Sequence, residues 1–203
     1  MNIPVTKKDI ILRAATGLFS KKGFTETSMA ELSKITGVSE GTIFYHFKNK
    51  EEIYLSILKN AKEDLIAEFE RYYAKKKFET GLDMMEDAIL FYLHLAGTKE
   101  EQFLLLHHRY PYELATVNPA CREDLEAIYG CIVDVFEKAI MLGQQDGSID
   151  EMPARKTAFI IFSMVDGLLR FEAYNVYHLG SLYSQLIESC RRILKKDRCN
   201  YSI

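Results

Sequence analysis

Residues 39–50, SEGTIFYHFKNK, gather on one short stretch the side chains that a nucleic-acid surface uses. At about 100° per residue of helix, Ile43 and Phe47 fall on one side and point to a small core. Gly41, Thr42 and Tyr45 fall on the other side, with Phe44 and His46 on the flanks. Threonine and histidine can hydrogen-bond base edges or phosphates, and an aromatic ring can lie on a thymine methyl. Gly41 admits a close approach of the backbone to a partner. Lys48 follows, and Lys50 lies in the first turn of the next helix, where backbone N–H groups also face an anion. The competing reading of these residues is an ordinary polar face over a three-helix core.

The elements that position this stretch are readable from their stops and caps. Ser28 caps a helix, with Glu31 at the capping-box position. Ala30, Leu32 and Ile35 give that helix an apolar side. Gly37 stands where it must end, since a residue without Cβ enters the left-handed region at least cost. Val38 tucks under the stop, and Ser39 caps the next helix at once. A glycine-bearing turn between two short helices is a helix-turn-helix. Upstream, Thr6 with Asp9 opens a first helix that runs to about Lys22 and stops at Gly23-Phe24, with Ile10, Ile11, Ala14, Leu18 and Phe19 on its apolar face.

The segment Thr27-Ser28 through Gly37-Val38-Ser39-x-Gly41-Thr42-Ile43-Phe44-Tyr45-His46-Phe47-Lys48-Asn49-Lys50-Glu51-Glu52 resembles the N-terminal domain of the TetR/AcrR family of bacterial repressors. So does Ala14-Ala15-x-x-Leu18-Phe19-x-x-x-Gly23-Phe24 before it. The likeness spans residues 7 to 55; beyond it only the helical layout agrees. The resemblance implies an all-helical, homodimeric, ligand-responsive regulator of transcription. Position by position it places Gly41, Thr42, Phe44, Tyr45 and His46 at or beside bases, and Thr27, Ser28, Ser39, Lys48 and Lys50 on phosphates. Glu40 departs from the pattern, standing where many members carry a basic residue. Phe44 replaces a frequent tyrosine, keeping a thymine-methyl contact without the hydroxyl.

Composition is compatible with that implication. With 203 residues, 48% apolar and 27% charged, the chain is long enough for a real core and reads as globular. No apolar run reaches the length of a membrane span, and MNIPVTKKD has no signal-peptide apolar region, so no membrane association and a cytoplasmic location are expected. Residues 1–50 hold eight Lys/Arg and four Asp/Glu, a charge of +4, which leaves −7 for the rest of a chain whose total is −3. A basic head on an acidic body suits a domain that reads DNA joined to one that avoids it. Cys121, Cys131, Cys190 and Cys199 form no C-x-x-C pair, and the adjacent His107 and His108 point about 100° apart on a helix, so no metal site and no cofactor are expected. No nucleophile with a local base and no glycine-rich phosphate loop appears, which argues against an enzyme.

The expected fold is therefore all-α: a three-helix helix-turn-helix DNA-binding domain at residues 1–50 and a helical ligand-binding and dimerisation domain at 51–203. A long fourth helix, capped by Asn49, runs to about Lys77 without Gly or Pro. A fifth, 81–96, is apolar nearly all round except for Asp83, Asp87 and His94; that stripe meets either solvent or a cavity. A sixth opens at Thr98 with Glu101 and runs to Pro111, and a seventh, capped by Asn118, runs to about Gln145. The eighth, from Met152-Pro153 to about Tyr177, and the ninth, from Gly180-Ser181, are the expected dimer contact, ahead of a frayed tail to Ile203. Helices four to seven are expected to enclose a small, largely apolar effector, with Phe69, Tyr72, Asp87, Phe91, His94, Phe103, His107, Tyr110 and Tyr129 on its walls, joined by Tyr92 and Asp83. The functional expectation is a repressor released from a near-palindromic operator; the alternative is a helical protein–protein adaptor that binds no specific DNA.

Overall fold

The structure, a computed structural model, describes residues 6–177, 180 and 182–195. The described residues form ten helices and no strand: α1 Lys7–Lys22, α2 Met29–Thr36, α3 Glu40–His46, α4 Lys50–Tyr73, α5 Gly81–Thr98, α6 Glu100–His107, α7 Arg109–Ala115, α8 Pro119–Asp146, α9 Ala154–Ala173 and α10 Tyr183–Leu194. Their contacts divide them into two compact units. One holds the described residues up to Glu68 together with Lys99–Ile128; the other holds Phe69–Thr98 and the described residues from Tyr129 onward.

In the first unit the caps act as their residue types dictate. Thr6 and Asp9 close a reciprocal capping box, Thr6 Oγ1 accepting from Asp9 N at 3.2 Å and Asp9 Oδ2 from Thr6 N at 2.9 Å. Gly37 sits in the left-handed region with φ 67°, the conformation that favours glycine at a helix end. Ser28 accepts from Glu31 N at 3.1 Å, while the Glu31 carboxylate is bound to Lys22 rather than returned to the cap. Asn49 Oδ1 accepts from Glu52 N at 2.8 Å, and Glu52 Oε2 accepts from Lys48 N at 2.6 Å. Ile11, Ala15, Phe19, Leu32, Ile43, Phe47, Ile53 and Leu58 are buried and form the core beneath the helix-turn-helix.

The expected sixth helix is corrected into two. Thr98 does not open it: α5 continues through Gly97, and Thr98 Oγ1 donates back to the carbonyls of His94 and Leu95 at 3.1 and 3.2 Å. The helix then ends at His107, and His108 is extended with ψ 160°. Pro111 is the cause. Its ring would collide with the His107 carbonyl if α6 ran on, yet it fits the first turn of a new helix, where no N–H is needed. The helices expected as seventh, eighth and ninth thus become α8, α9 and α10. α9 is shorter than expected, ending at Ala173, and α10 begins at Tyr183. Ser181, Cys199 and the expected tail to Ile203 lie outside the described residues.

In the second unit α5 starts against α8 with almost no separation. A Cβ on Gly81 would stand 2.0 Å from Gly143 N and 2.4 Å from Ala139 O. Asp146 fastens the same corner, its carboxylate accepting from Gly81 N at 2.7 Å and Ser148 N at 2.8 Å. The Ser148 side chain first, then the Gly81 N–H, hold its carboxyl below the usual range.

Candidate nucleic-acid interface and effector region

Two caps and one stop present α3. Ser39 Oγ accepts from Thr42 N at 3.3 Å and lies 2.9 Å from Thr42 Oγ1, so the first turn carries two linked hydroxyls on its outer face. Ile43 and Phe47 are buried as the spacing requires, while Tyr45 is 85% exposed and Phe44 48% exposed. His46 stands edge-on to Tyr45, 5.3 Å between ring centres. A Cβ on Gly41 would meet nothing within 4 Å, so the backbone there is open on its outer side. An exposed phenol and an exposed phenyl ring thus share one seven-residue helix.

The residues expected on phosphates divide into two sets. Ser28, Ser39 and Lys48 are exposed around the start of α2 and the two ends of α3. Thr27 and Lys50 turn inward. Thr27 is 1% exposed and its hydroxyl donates to Gly23 O at 3.0 Å. The Lys50 ammonium donates to Phe24 O and Thr27 O, both at 2.6 Å, and stands 4.3 Å from the centre of the Phe24 ring. Carbonyls of the turn between α1 and α2 collect this cation. Burial, opposed by the charge of Glu26, holds the ammonium below the ordinary lysine range.

The residues expected on the effector walls fall into separate groups. Phe69, Tyr72, Asp87 and Phe91 converge in the second unit, with Tyr73 and Phe78, which sequence reading left out. Tyr72 and Phe91 stack at 3.7 Å, and Tyr72 Oη donates to Asp87 Oδ1 at 3.1 Å. Tyr129 and Tyr92 pack instead on Phe162, and the Tyr92 hydroxyl donates to Asp166 at 2.7 Å. His94 and Asp83 are exposed, so the polar stripe of α5 meets solvent except at Asp87. Phe103, His107 and Tyr110 belong to the first unit. His107 Nδ1 pairs with Phe103 O at 2.7 Å, whereas His108 Nε2 pairs with Ser20 O at 2.8 Å, so the adjacent rings serve different partners. Tyr110 stacks on Phe24; burial, reinforced by Glu51, pushes its hydroxyl up to about 12. Burial likewise pushes the thiols of Cys121, Cys131 and Cys190 up to about 11, assisted by the nearby carboxylates Asp124, Asp134 and Glu86.

A helix-turn-helix with an exposed aromatic and hydroxyl face, carried by a helical body, defines a DNA-binding transcriptional regulator. Residues 11–57 match the family described as bacterial regulatory proteins, tetR family. The chain is 27% identical over 168 residues to the HTH-type transcriptional regulator AcrR of Shigella flexneri, covering 78% of this chain and 74% of that one. It is 25% identical to the HTH-type transcriptional repressor BepR of Brucella suis over 91% of each chain. In three dimensions it is similar to the regulator FadR of Bacillus subtilis, crystallised with stearoyl-CoA, with a TM-score of 0.70, 23% identity and coverage of 89% of this chain and 96% of that one. A tetR-family regulatory protein from Rhodococcus gives a TM-score of 0.76 at 19% identity over 94% and 98% of the two chains. Residues 11–57 thus carry the domain of the tetR family of bacterial regulatory proteins, and the chain as a whole shares the fold of these regulators. Its named relatives are regulators rather than enzymes, and among the described residues no helix is long and apolar enough to cross a membrane.

Proposed function

We propose that this regulator is a homodimeric repressor that leaves a near-palindromic operator when a small, largely apolar effector binds its helical body. The observation that carries the DNA half is the exposed Phe44 and Tyr45 of α3, flanked by half-buried Thr42 and His46, over a buried Ile43 and Phe47. Gly41, Thr42, Phe44, Tyr45 and His46 meet base edges, and Ser28, Ser39 and Lys48 hold phosphates. Thr27 and Lys50 act one step back, fixing the turn from which Ser28 caps α2. Residues 1–50 are the reading domain and 51–203 the ligand-binding and dimerisation domain, joined through the uninterrupted α4.

The dimer contact is assigned to α9 and α10. Ile160, Ser163, Gly167 and Phe171 recur at helical spacing on α9; Ile160 is 56% and Phe171 47% exposed, with Phe159 beside them, and Gly167 has open space above it. An apolar stripe with a glycine in its middle suits close approach of a second copy. α10 adds a rim of exposed Ser184, Gln185, Ser189 and Arg192. Two copies present two equivalent α3 helices, which calls for a two-fold operator. Release of about 100-fold needs about 2.7 kcal/mol of coupling, and operator DNA must weaken the effector by the same factor.

The test is selection of a duplex from a random pool by the purified protein, followed by gel-shift titration. A selected near-palindrome bound by wild type and lost in Tyr45→Ala is expected. Recovery of no duplex above background at low salt would leave the adaptor as the better description.

A further inference from the structure

Residues 1–50 carry four acidic side chains, and three of them are engaged within the protein. Asp9 closes the cap at Thr6, Glu31 is bound to Lys22, and the charge of Glu26 acts on the Lys50 ammonium. Glu40 differs. It is the first residue of α3 and is exposed, and among the described residues its carboxylate has neither a hydrogen bond nor an ion pair.

Its neighbours are those of the reading face. The hydroxyls of Ser39 and Thr42 are tied to each other at 2.9 Å and leave Glu40 alone. Gly41 beside it has open space above. One turn on, at the i,i+4 position that adjoins it on a helix surface, Phe44 is 48% exposed. A carboxylate and a phenyl ring thus neighbour each other where α3 begins.

A carboxylate so placed has few partners on a duplex. Ionised, it only accepts hydrogen bonds, and phosphates of like charge repel it. In the major groove two groups donate, the N4 amino group of cytosine and the N6 amino group of adenine. The adenine donor lies between two acceptors, its own N7 and the O4 of the paired thymine. A carboxylate that reaches it also meets their lone pairs. The cytosine donor has an acceptor on one side only, and its other side is the C5–H edge. The carboxylate can approach from there, while the Phe44 ring lies on the same pyrimidine edge and excludes water. A base pair without that donor leaves a desolvated charge unpaired, which costs more than the loss of a neutral contact.

We propose that Glu40 is a specificity-determining residue of this regulator: its carboxylate accepts a hydrogen bond from the N4 amino group of one cytosine in each half of the operator. The proposal rests on the reading that α3 enters the major groove, and it adds the identity of one base. A basic side chain at this place would take guanine; the acid asks for its complement.

Selection from a random duplex pool by full-length wild type, Glu40→Gln and Glu40→Ala, with sequencing of each product, tests this. Both changes are made at an exposed side chain and leave the Ser39 cap in place. Wild type is expected to fix one C·G pair in each half-site. Glu40→Gln is expected to replace that cytosine with adenine, which a glutamine side chain binds through N6 and N7, and to keep the rest of the motif. Glu40→Ala is expected to accept any base there. In gel-shift titrations, changing the cytosine to thymine puts an oxygen in place of the amino group. That change should weaken wild type at least about ten-fold and Glu40→Ala less than about two-fold. An acid that merely repels the backbone gives a different result: both variants bind every duplex more tightly by one common factor and select the wild-type motif. That result, or a wild-type motif without a fixed cytosine, overturns the proposal. If wild type selects a duplex that Tyr45→Ala loses while the Glu40 variants share its motif, the regulator stands and the cytosine reading falls. If wild type selects no duplex at low salt, the regulator reading falls and the cytosine reading with it.

Discussion

The rings of Phe24 and Tyr110 lie face to face, 3.7 Å between centres and 6° between planes. Phe24 is the residue that follows the stop of α1, and Tyr110 opens α7 just after the break at His108. Tyr54 of α4 stands edge-on to both, at 5.7 and 4.9 Å. These three rings join the DNA-reading helices to α4 and α7 inside the first unit. Tyr110→Ala is therefore expected to lower the unfolding free energy by about 2 kcal/mol, the stacking and part of the buried area being lost together. Tyr110→Phe should keep most of it. Urea denaturation of the two variants checks this.

Tyr45→Ala should weaken binding to the selected operator by about 1–3 kcal/mol and leave non-specific duplex binding nearly unchanged. Lys48→Ala should act on all duplexes alike and reduce the salt slope by about one counterion. Lys50→Met should differ from both: its ammonium faces Phe24 O and Thr27 O, so the variant should lose thermal stability before it loses salt dependence. Gel shifts across a salt series, with melting curves on the same samples, distinguish the three.

Ile160→Asp should break the two-fold contact, since it sets like charges facing each other across the axis. A monomer in sedimentation at micromolar concentration, with operator affinity lost and helical content retained, is the expected result. A dimer with unchanged affinity would move the contact away from α9.

Gly81→Ala should destabilise the second unit by about 3 kcal/mol, because the added carbon meets backbone atoms of α8 that cannot rotate away. Gly143→Ala meets the Ile149 side chain at 2.5 Å instead, a softer obstacle. Ile149→Ala, which removes both the Cδ1 and the Cγ1 at 2.5 Å, should partly rescue Gly143→Ala and do nothing for Gly81→Ala, as thermal melts of the double variants, each compared with Ile149→Ala alone, would show.

The pH dependence at the same corner follows from Asp146. Its folded carboxyl lies below the unfolded value of about 3.9, so its contribution is complete above that pH and disappears as pH falls through the lower, folded value. Asp146→Asn should lower the melting temperature at pH 7, and the gap to wild type should close below about pH 4. A gap that stays constant from pH 7 to pH 3 would contradict the assignment.

The head was legible in the sequence because its signals are local. Gly23 and Gly37 stop helices, Thr6, Ser28, Ser39 and Asn49 cap them, and each acts within four residues of itself. The break at His108 was less legible: Pro111 reads equally as a stop and as a first-turn residue, and only the packing of the next helix decides. The effector region was least legible. Spacing along α5 gives the face that Asp87 and Phe91 share, but not which helices meet it. A list drawn from aromatic content therefore mixed Tyr72 and Phe91, which stack, with Tyr110, which stacks on the head. Phe78 escaped because a turn has no periodicity to read.

The raised thiols set a practical boundary on what can be done to this protein in a test tube. With values of about 11, Cys121, Cys131 and Cys190 hold roughly one thiolate in ten thousand molecules at neutral pH. Maleimides and peroxides attack the thiolate, so these three positions are nearly silent to both. Once Cys199 is replaced by serine, one cysteine introduced at an exposed site of the DNA-reading head becomes the single reactive handle. A fluorophore attached there would report the arrival and departure of the double helix in real time, without a tryptophan anywhere in the chain to contribute background.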